Sequence, residues 1–197
     1  MISRIIFSDK TLSLTLPGSL TCNSRAKSMK DSDLKDSPVY SFPPIADLQS
    51  KVLILGTMPG KESLRRNAYY AHPKNAFWKI AFTLFTHPFS TSDEEKKEML
   101  LQNRIALWDV LKSCTRPSSL DSDIRKEEPN DFHQFLLIHH NISEIFFNGK
   151  GAAAYFRKYF PDINLPYRVL PSTSPAHAVS WESKLNAWQA ILNNSKK

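Results

Sequence analysis

The hydrophobic pattern changes character near residue 41. From Met1 to Lys30 apolar residues are scattered among Ser and Thr with no sustained period, which reads as a flexible N-terminal extension; residues 1–40 are assigned to it and 41–197 to one folded domain. Lys51-Val-Leu-Ile-Leu-Gly56 is a short continuous apolar run closed by Gly, the pattern of a strand buried on both faces. Asn75 to Phe85 has apolar residues at helical spacing, and Ser92-Asp-Glu-Glu opens a second helix with a capping residue and acids in its first turn. Further strands are predicted at Ile105–Val110, Glu144–Asn148 and Arg168–Leu170, and further helices at Asp131–His140, Ala152–Tyr159 and Trp181–Asn193. Strands alternating with helices predict an α/β domain with a mostly parallel sheet.

Such sheets bind ligands beyond the carboxyl ends of their strands. That rule singles out the segments after Gly56, Val110, Asn148 and Leu170. After the first strand comes Gly56-Thr-Met-Pro-Gly60, then Tyr69-Tyr-Ala-His-Pro-Lys-Asn-Ala-Phe-Trp78. The first lacks the spacing of a P-loop or a dinucleotide fingerprint, but its glycines let backbone approach a ligand closely. Tyr69 and Tyr70 are placed to stack on a planar ring, whereas Phe77 and Trp78 read as core. Asn75 is explained equally by helix capping. Asn148, its amide taken as free, offers a donor and an acceptor to a heterocycle edge, with capping of the next helix as the plainer account. Leu170-Pro-Ser-Thr-Ser-Pro-Ala-His-Ala178 is a stiff loop whose hydroxyls and His177 suit phosphate oxygens, or form only a capped turn.

Size and charge narrow the picture. At 197 residues the chain is long enough for one domain, and no apolar run is long enough to span a bilayer. Lys+Arg 26 against Asp+Glu 19 gives a net charge of +7, which suits a phosphate-bearing partner. The excess is concentrated beyond residue 50, where 20 basic side chains face 14 acidic ones. Cys22 and Cys114 are too few for a cysteine-held metal cluster, so no metal or cofactor is expected, and the protein reads as intracellular, cytoplasmic and monomeric, with no membrane partner. The acid-poor start has a weak likeness to an organelle transit peptide; an ordinary tail, or initiation at Met29, accounts for it more simply.

In their order and at these strand ends, G-T-M-P-G, Y-Y-A-H-P-K-N-A-F-W, F-N-G-K-G-A and L-P-S-T-S-P-A-H-A resemble the motifs of the uracil-DNA glycosylase superfamily, and most closely its hypoxanthine (deoxyinosine) branch. The likeness extends over residues 41 to 193 and includes Asp109-Val-Leu-Lys-Ser-Cys114 and Ser119-Leu-Asp-Ser122. It implies a three-layer α/β/α sandwich around a four-stranded parallel sheet, with DNA carrying a deaminated base lying across the strand ends. The resemblance implies that Tyr70 stacks on the flipped base, that Asn75 serves catalysis by aligning water, and that Asn148 reads the base; with it, backbone N–H groups around Thr57 and Met58 are expected to hold the base. It also implies that Ser172, Thr173, Ser174 and His177 grip phosphates; the positive charge of Lys74 and Lys150, in or beside these loops, makes them further expected DNA contacts, with Arg116 beside them. Met58 departs from relatives that carry a catalytic Asn there, and a thioether neither orients water nor accepts a proton.

The activity so implied is hydrolysis of an N-glycosidic bond without a lyase step, the base departing as an anion from a cationic sugar. Three alternatives stand beside it: a uracil or G:U/G:T mismatch glycosylase, a non-catalytic module that binds damaged DNA, and an enzyme of free nucleosides.

Overall fold

The computed structural model describes residues 37–192. Most of the expected N-terminal extension therefore lies outside the described residues; Val39 and Tyr40, its last part, form a strand, β1 (Val39–Tyr40).

Four strands make the central sheet: β2 (Val52–Gly56), β3 (Ile105–Asp109), β6 (Glu144–Asn148) and β7 (Tyr167–Leu170). They are all parallel, in the order β3-β2-β6-β7. Every residue of β2 and β6 is buried. Strand geometry sends alternate side chains to opposite faces, so each apolar run is shared between two cores. Leu53, Leu55, Ala106, Ile145 and Phe147 serve one core, and Val52, Ile54, Ile105, Leu107 and Phe146 the other.

Helices cover both faces. The first core is closed by α4 (Phe132–Ile138) and α5 (Lys150–Tyr159) through Phe132, Phe135, Ala152, Ala153 and Phe156. The second is closed by α2 (Phe77–Leu84), α3 (Asp93–Gln102) and α6 (Trp181–Trp188) through Phe77, Ile80, Leu100 and Trp188. Fully burying one such Leu or Phe contributes about 1.5–3 kcal/mol, so these two layers hold the sheet. Ser92 caps α3 by accepting from the Glu95 N–H, as its sequence position predicts. The final helix ends at Trp188 and tightens into a 3₁₀ turn over Gln189–Ile191.

A second sheet was not foreseen. β1, β4 (Leu111–Thr115) and β5 (Arg125–Pro129) form an antiparallel sheet in the order β1-β4-β5. It grows from the first: after Asp109 the Val110 N–H donates to Gly56 O and the Leu111 N–H to Thr57 O, carrying the chain from β3 into β4. A short helix, α1 (Lys61–Arg66), also escapes the hydrophobic pattern.

Register decides where the polar residues meet. Gly56 is opposite Asp109, Leu55 opposite Phe147, and Asn148 opposite Leu170. The carboxyl ends of all four strands therefore stop at one level, and the loops that follow them share one rim.

Candidate active site

A cavity of about 360 Å³ opens at that rim. Gly56 to Gly60 form one wall, Tyr70, His72 and Asn75 a second, Ser119 to Asp121 a third and Ser172 to His177 a fourth, with Asp109 and Asn148 at the base of the strands. All four strand-end segments thus contribute. A larger groove of about 1090 Å³ adjoins it and shares Tyr70, His72 and Asn75; Lys74, Lys79, Lys96 and Trp181 line its far side.

Tyr70 is fixed by its backbone and by a neighbouring ring. Its backbone is left-handed, with φ of 50°, a conformation that orders an unusual side-chain direction at some cost. One face of its ring lies on Phe77, with centroids 4.2 Å apart and planes at 24°. Tyr69 does not fit the stacking role expected of it. It is buried, and its hydroxyl reaches the Phe42 and Pro43 carbonyls, fixing the loop to the chain before β2. Phe77 and Trp78 are core residues, and the Trp78 indole N–H donates to Tyr69 O at 2.7 Å.

Asn75 lines both cavities, and its Oδ1 accepts the Phe77 N–H at 3.0 Å. The side chain therefore does start the helix, in an Asx turn, and the same bond fixes its amide group, whose N–H donors are spare. The two explanations offered by the sequence are compatible.

Asn148 corrects one expectation. Its amide is not free: Nδ2 donates to Thr173 Oγ1 at 2.9 Å, and Oδ1 accepts the Thr173 N–H at 2.8 Å. An amide has two donors and two lone pairs; Thr173 takes one of each, and the rest of the amide faces the Tyr70 hydroxyl and the cavity. Thr173 corrects another. It is fully buried, clasped to Asn148, and its carbonyl accepts the Ala76 N–H, so its hydroxyl cannot grip a phosphate. Ser172 and Ser174 sit half-buried on either side, accepting the Ser174 and Ala176 N–H groups, with hydroxyl protons still to donate. His177, Lys74 and Lys150 are exposed. Arg116 is buried and donates to Pro59 O, so it is not a surface contact.

Thr57 and Met58 are both buried in the cavity wall. Met58 belongs to the first core and presents an apolar surface. The Thr57 hydroxyl donates to Asp121 Oδ2 at 2.8 Å. Gly151 makes room for that carboxylate, because a Cβ there would collide with Asp121 Oδ2.

Two acidic residues of the site, Asp109 and Asp121, lie in segments that carry the family likeness but have no role assigned by it. Burial pushes the Asp109 carboxyl up to about 7, against the opposing pull of the Arg116 guanidinium and with a smaller push from Asp121. Burial raises Asp121 too, opposed by the Thr57 hydrogen bond and by Arg116. Asp109 ends a strand whose following segment the strand-end rule had marked, and that was the signal available.

No group of His, Cys, Asp or Glu among the described residues could hold a metal ion. No helix among them is long and apolar enough to cross a membrane.

Comparison with known proteins agrees with this architecture. Residues 43–194 match the family model of the uracil DNA glycosylase superfamily. A protein named hypoxanthine DNA glycosylase from Methanosarcina barkeri is 33% identical over 148 residues, covering 75% of this chain and 93% of the relative. One of the same name from Methanosarcina acetivorans is 34% identical over 154 residues, covering 78% and 97%. The solution NMR structure of a candidate uracil DNA glycosylase from Methanosarcina acetivorans superposes with a TM-score of 0.72 at 31% identity, covering 82% of this chain and all of that one. With the parallel sheet, the cavity at its strand ends and a family match over most of its length, this chain belongs to the uracil DNA glycosylase superfamily.

Proposed function

We propose that the protein is a monofunctional DNA glycosylase that hydrolyses the N-glycosidic bond of a flipped deaminated base, hypoxanthine first among them. The observation that carries this reading is the cavity at the strand ends, walled by a Tyr ring already stacked on one side and by polar groups with unused hydrogen-bonding capacity. The two relatives named hypoxanthine DNA glycosylase, matched over nearly their whole lengths, direct the choice of base.

In this reading the flipped base slides onto the open face of Tyr70, extending the Tyr70–Phe77 stack. The part of the Asn148 amide not taken by Thr173 meets the edge of the base, and Met58 supplies apolar contact. Asn75, fixed by its Phe77 bond, directs a water at the sugar carbon as the bond breaks. Ser172, Ser174 and His177 meet the backbone around the flipped nucleotide, while Lys74 and the adjoining groove receive the neighbouring phosphates. No lysine lines the base cavity among the described residues, which favours hydrolysis over a Schiff-base route. The buried Lys184 instead donates to Ser174 O at 3.3 Å and braces the loop.

The test is base release from duplexes that each carry one hypoxanthine, xanthine or uracil. Release of hypoxanthine with no borohydride-trapped adduct is expected. Release of uracil alone, a covalent adduct, or turnover of free inosine with none on DNA would each overturn the reading.

A further inference from the structure

Asp109 is the most anomalous group in the molecule. It is 3% exposed, its Oδ2 is buried with no hydrogen-bond partner, and no hydrogen bond to either carboxyl oxygen is found among the described residues. Leaving a buried carboxyl unmatched costs free energy that a folded protein normally avoids. Two further buried atoms among the described residues lack a completed bond, the Tyr70 hydroxyl and Nη1 of Arg116, whose guanidinium pulls the Asp109 carboxyl toward its ionised form. The Tyr70 hydroxyl is the one that shares the cavity with Asp109. It is buried beside Asp109, with the Asn148 amide as its hydrogen-bonding neighbour but no bond of good geometry completed. The two groups that share the cavity converge. A Cβ built on Gly56 would collide with Asp109 Oδ1 and sit 2.9 Å from the Tyr70 hydroxyl. The absence of a side chain at residue 56 is what lets both reach the floor of the cavity.

We propose that Asp109, in its protonated form and flanked by the Tyr70 hydroxyl, is the hydrogen-bond and proton donor to the departing base. The proposal rests on the glycosylase reading above. A purine such as hypoxanthine presents two acceptors, N7 and O6, on one edge, and leaves with difficulty unless its developing charge is met by a donor. In the step, the bond between C1′ and the base nitrogen breaks with its electron pair passing to the base. The Asp109 O–H proton moves to a lone pair of the base, leaving the carboxylate. Water bonds to C1′ through oxygen and releases its proton to solvent, and the carboxylate recovers a proton from solvent once the base has left.

Asp121 is built differently. Burial raises it as well, but it accepts a hydrogen bond from Thr57, which opposes that push and which Asp109 lacks. Two carboxyls in one site with unlike surroundings are the usual basis of divided acid and base roles. The charged and titratable groups that face Asp109 are Arg116 from the loop after β4, Asp121 from the loop before β5, and Tyr69 and Tyr70 from the loop before α2. Glu62, His72 and His177 stand farther out on the cavity wall.

The experiment is single-turnover base release from a hypoxanthine duplex across pH for wild type, Asp109→Asn and Tyr70→Phe, with duplex affinity measured alongside. For Asp109→Asn, which keeps the shape but has no proton to transfer, the rate is expected to fall about 100-fold or more at unchanged affinity. The wild-type decline at alkaline pH should be missing from it. Tyr70→Phe, which keeps the stacking ring, should lose about 10-fold, as befits one neutral hydrogen bond. An active wild type with an equally active Asp109→Asn overturns the proposal and leaves the glycosylase reading intact. So does a slowed Asp109→Asn that keeps the wild-type pH profile. An inactive wild type overturns the glycosylase reading itself.

Discussion

The two ends of the central sheet treat a buried acid in opposite ways. At the amino end Glu144, the first residue of β6, is buried and accepts a hydrogen bond from Arg168 Nε at 3.1 Å, across to the neighbouring strand β7. At the carboxyl end Asp109, which closes β3, is also buried, with neither oxygen hydrogen-bonded among the described residues. Nearby, Ser50 is tied to Asp47 by two hydrogen bonds, whereas Tyr70 keeps an unpaired hydroxyl. One end is completed by the protein itself. In the proposed reading the other is completed by the substrate.

This contrast is open to direct attack. The largest effect is expected at the ligand end, where Asn75→Ala should cut single-turnover base release by about 10²–10³-fold while duplex affinity measured by anisotropy stays within a few fold. Loss of binding in step with activity would show that Asn75 serves the turn alone. Next, Gly56→Ala should both slow base release and lower stability by about 1–3 kcal/mol, read from chemical denaturation, because its methyl group takes the place of Asp109 Oδ1. Its counterpart at the amino end, Glu144→Ala, should lower stability by about 1–2 kcal/mol, the Arg168 partner being half exposed. Activity per folded molecule should not change. Equal loss of activity in both variants would erase the distinction between the ends.

The stability of Asp109→Asn carries the pH dependence. The folded carboxyl keeps its proton up to about 7, whereas the unfolded one releases it near its ordinary value of 3.8. The folded state thus binds more protons between these limits, and stability must fall as pH rises through them. Asp109→Asn removes that penalty, so it should raise the melting temperature at pH 8, by the equivalent of about 1–3 kcal/mol, and leave it unchanged at pH 4. The smallest effects belong to the surface. Lys74→Glu and Lys150→Glu should each weaken duplex binding several-fold and reduce its logarithmic salt slope by about 1.

The parallel sheet was legible because its inner strands β2 and β6 are buried throughout and β3 nearly so, and so carry apolar runs, while the edge strand β7 is mostly exposed. The second sheet was not. β5 reads Arg-Lys-Glu-Glu-Pro and is mostly exposed, and β4 owes its place to partners far along the chain, Val39 with Cys114 and Glu128 with Ser113. α1 is short and polar, and Glu62 bonds to Arg65 and Arg66 along it. In the site, the strand-end rule led to Asn148 and to the loop after β7, but side-chain direction was beyond it. Three hydroxyl residues in a row look alike in the sequence; packing turned the middle one, Thr173, inward and left its neighbours at the surface. Asp109 was hidden for the same reason. A single acid at the end of a strand resembles an ordinary terminator until the tertiary structure closes over it.

The clasp between Asn148 and Thr173 ties together two tasks that are usually discussed apart. In the proposed reading, the side chain that meets the base and the loop that meets the DNA backbone share a pair of hydrogen bonds, so neither could be altered alone. A substitution at Asn148 aimed at a new base would also loosen the segment that holds the strand. Substrate preference and DNA affinity should therefore change together in this protein, and any lineage or design that separates them must first find another anchor for residue 173.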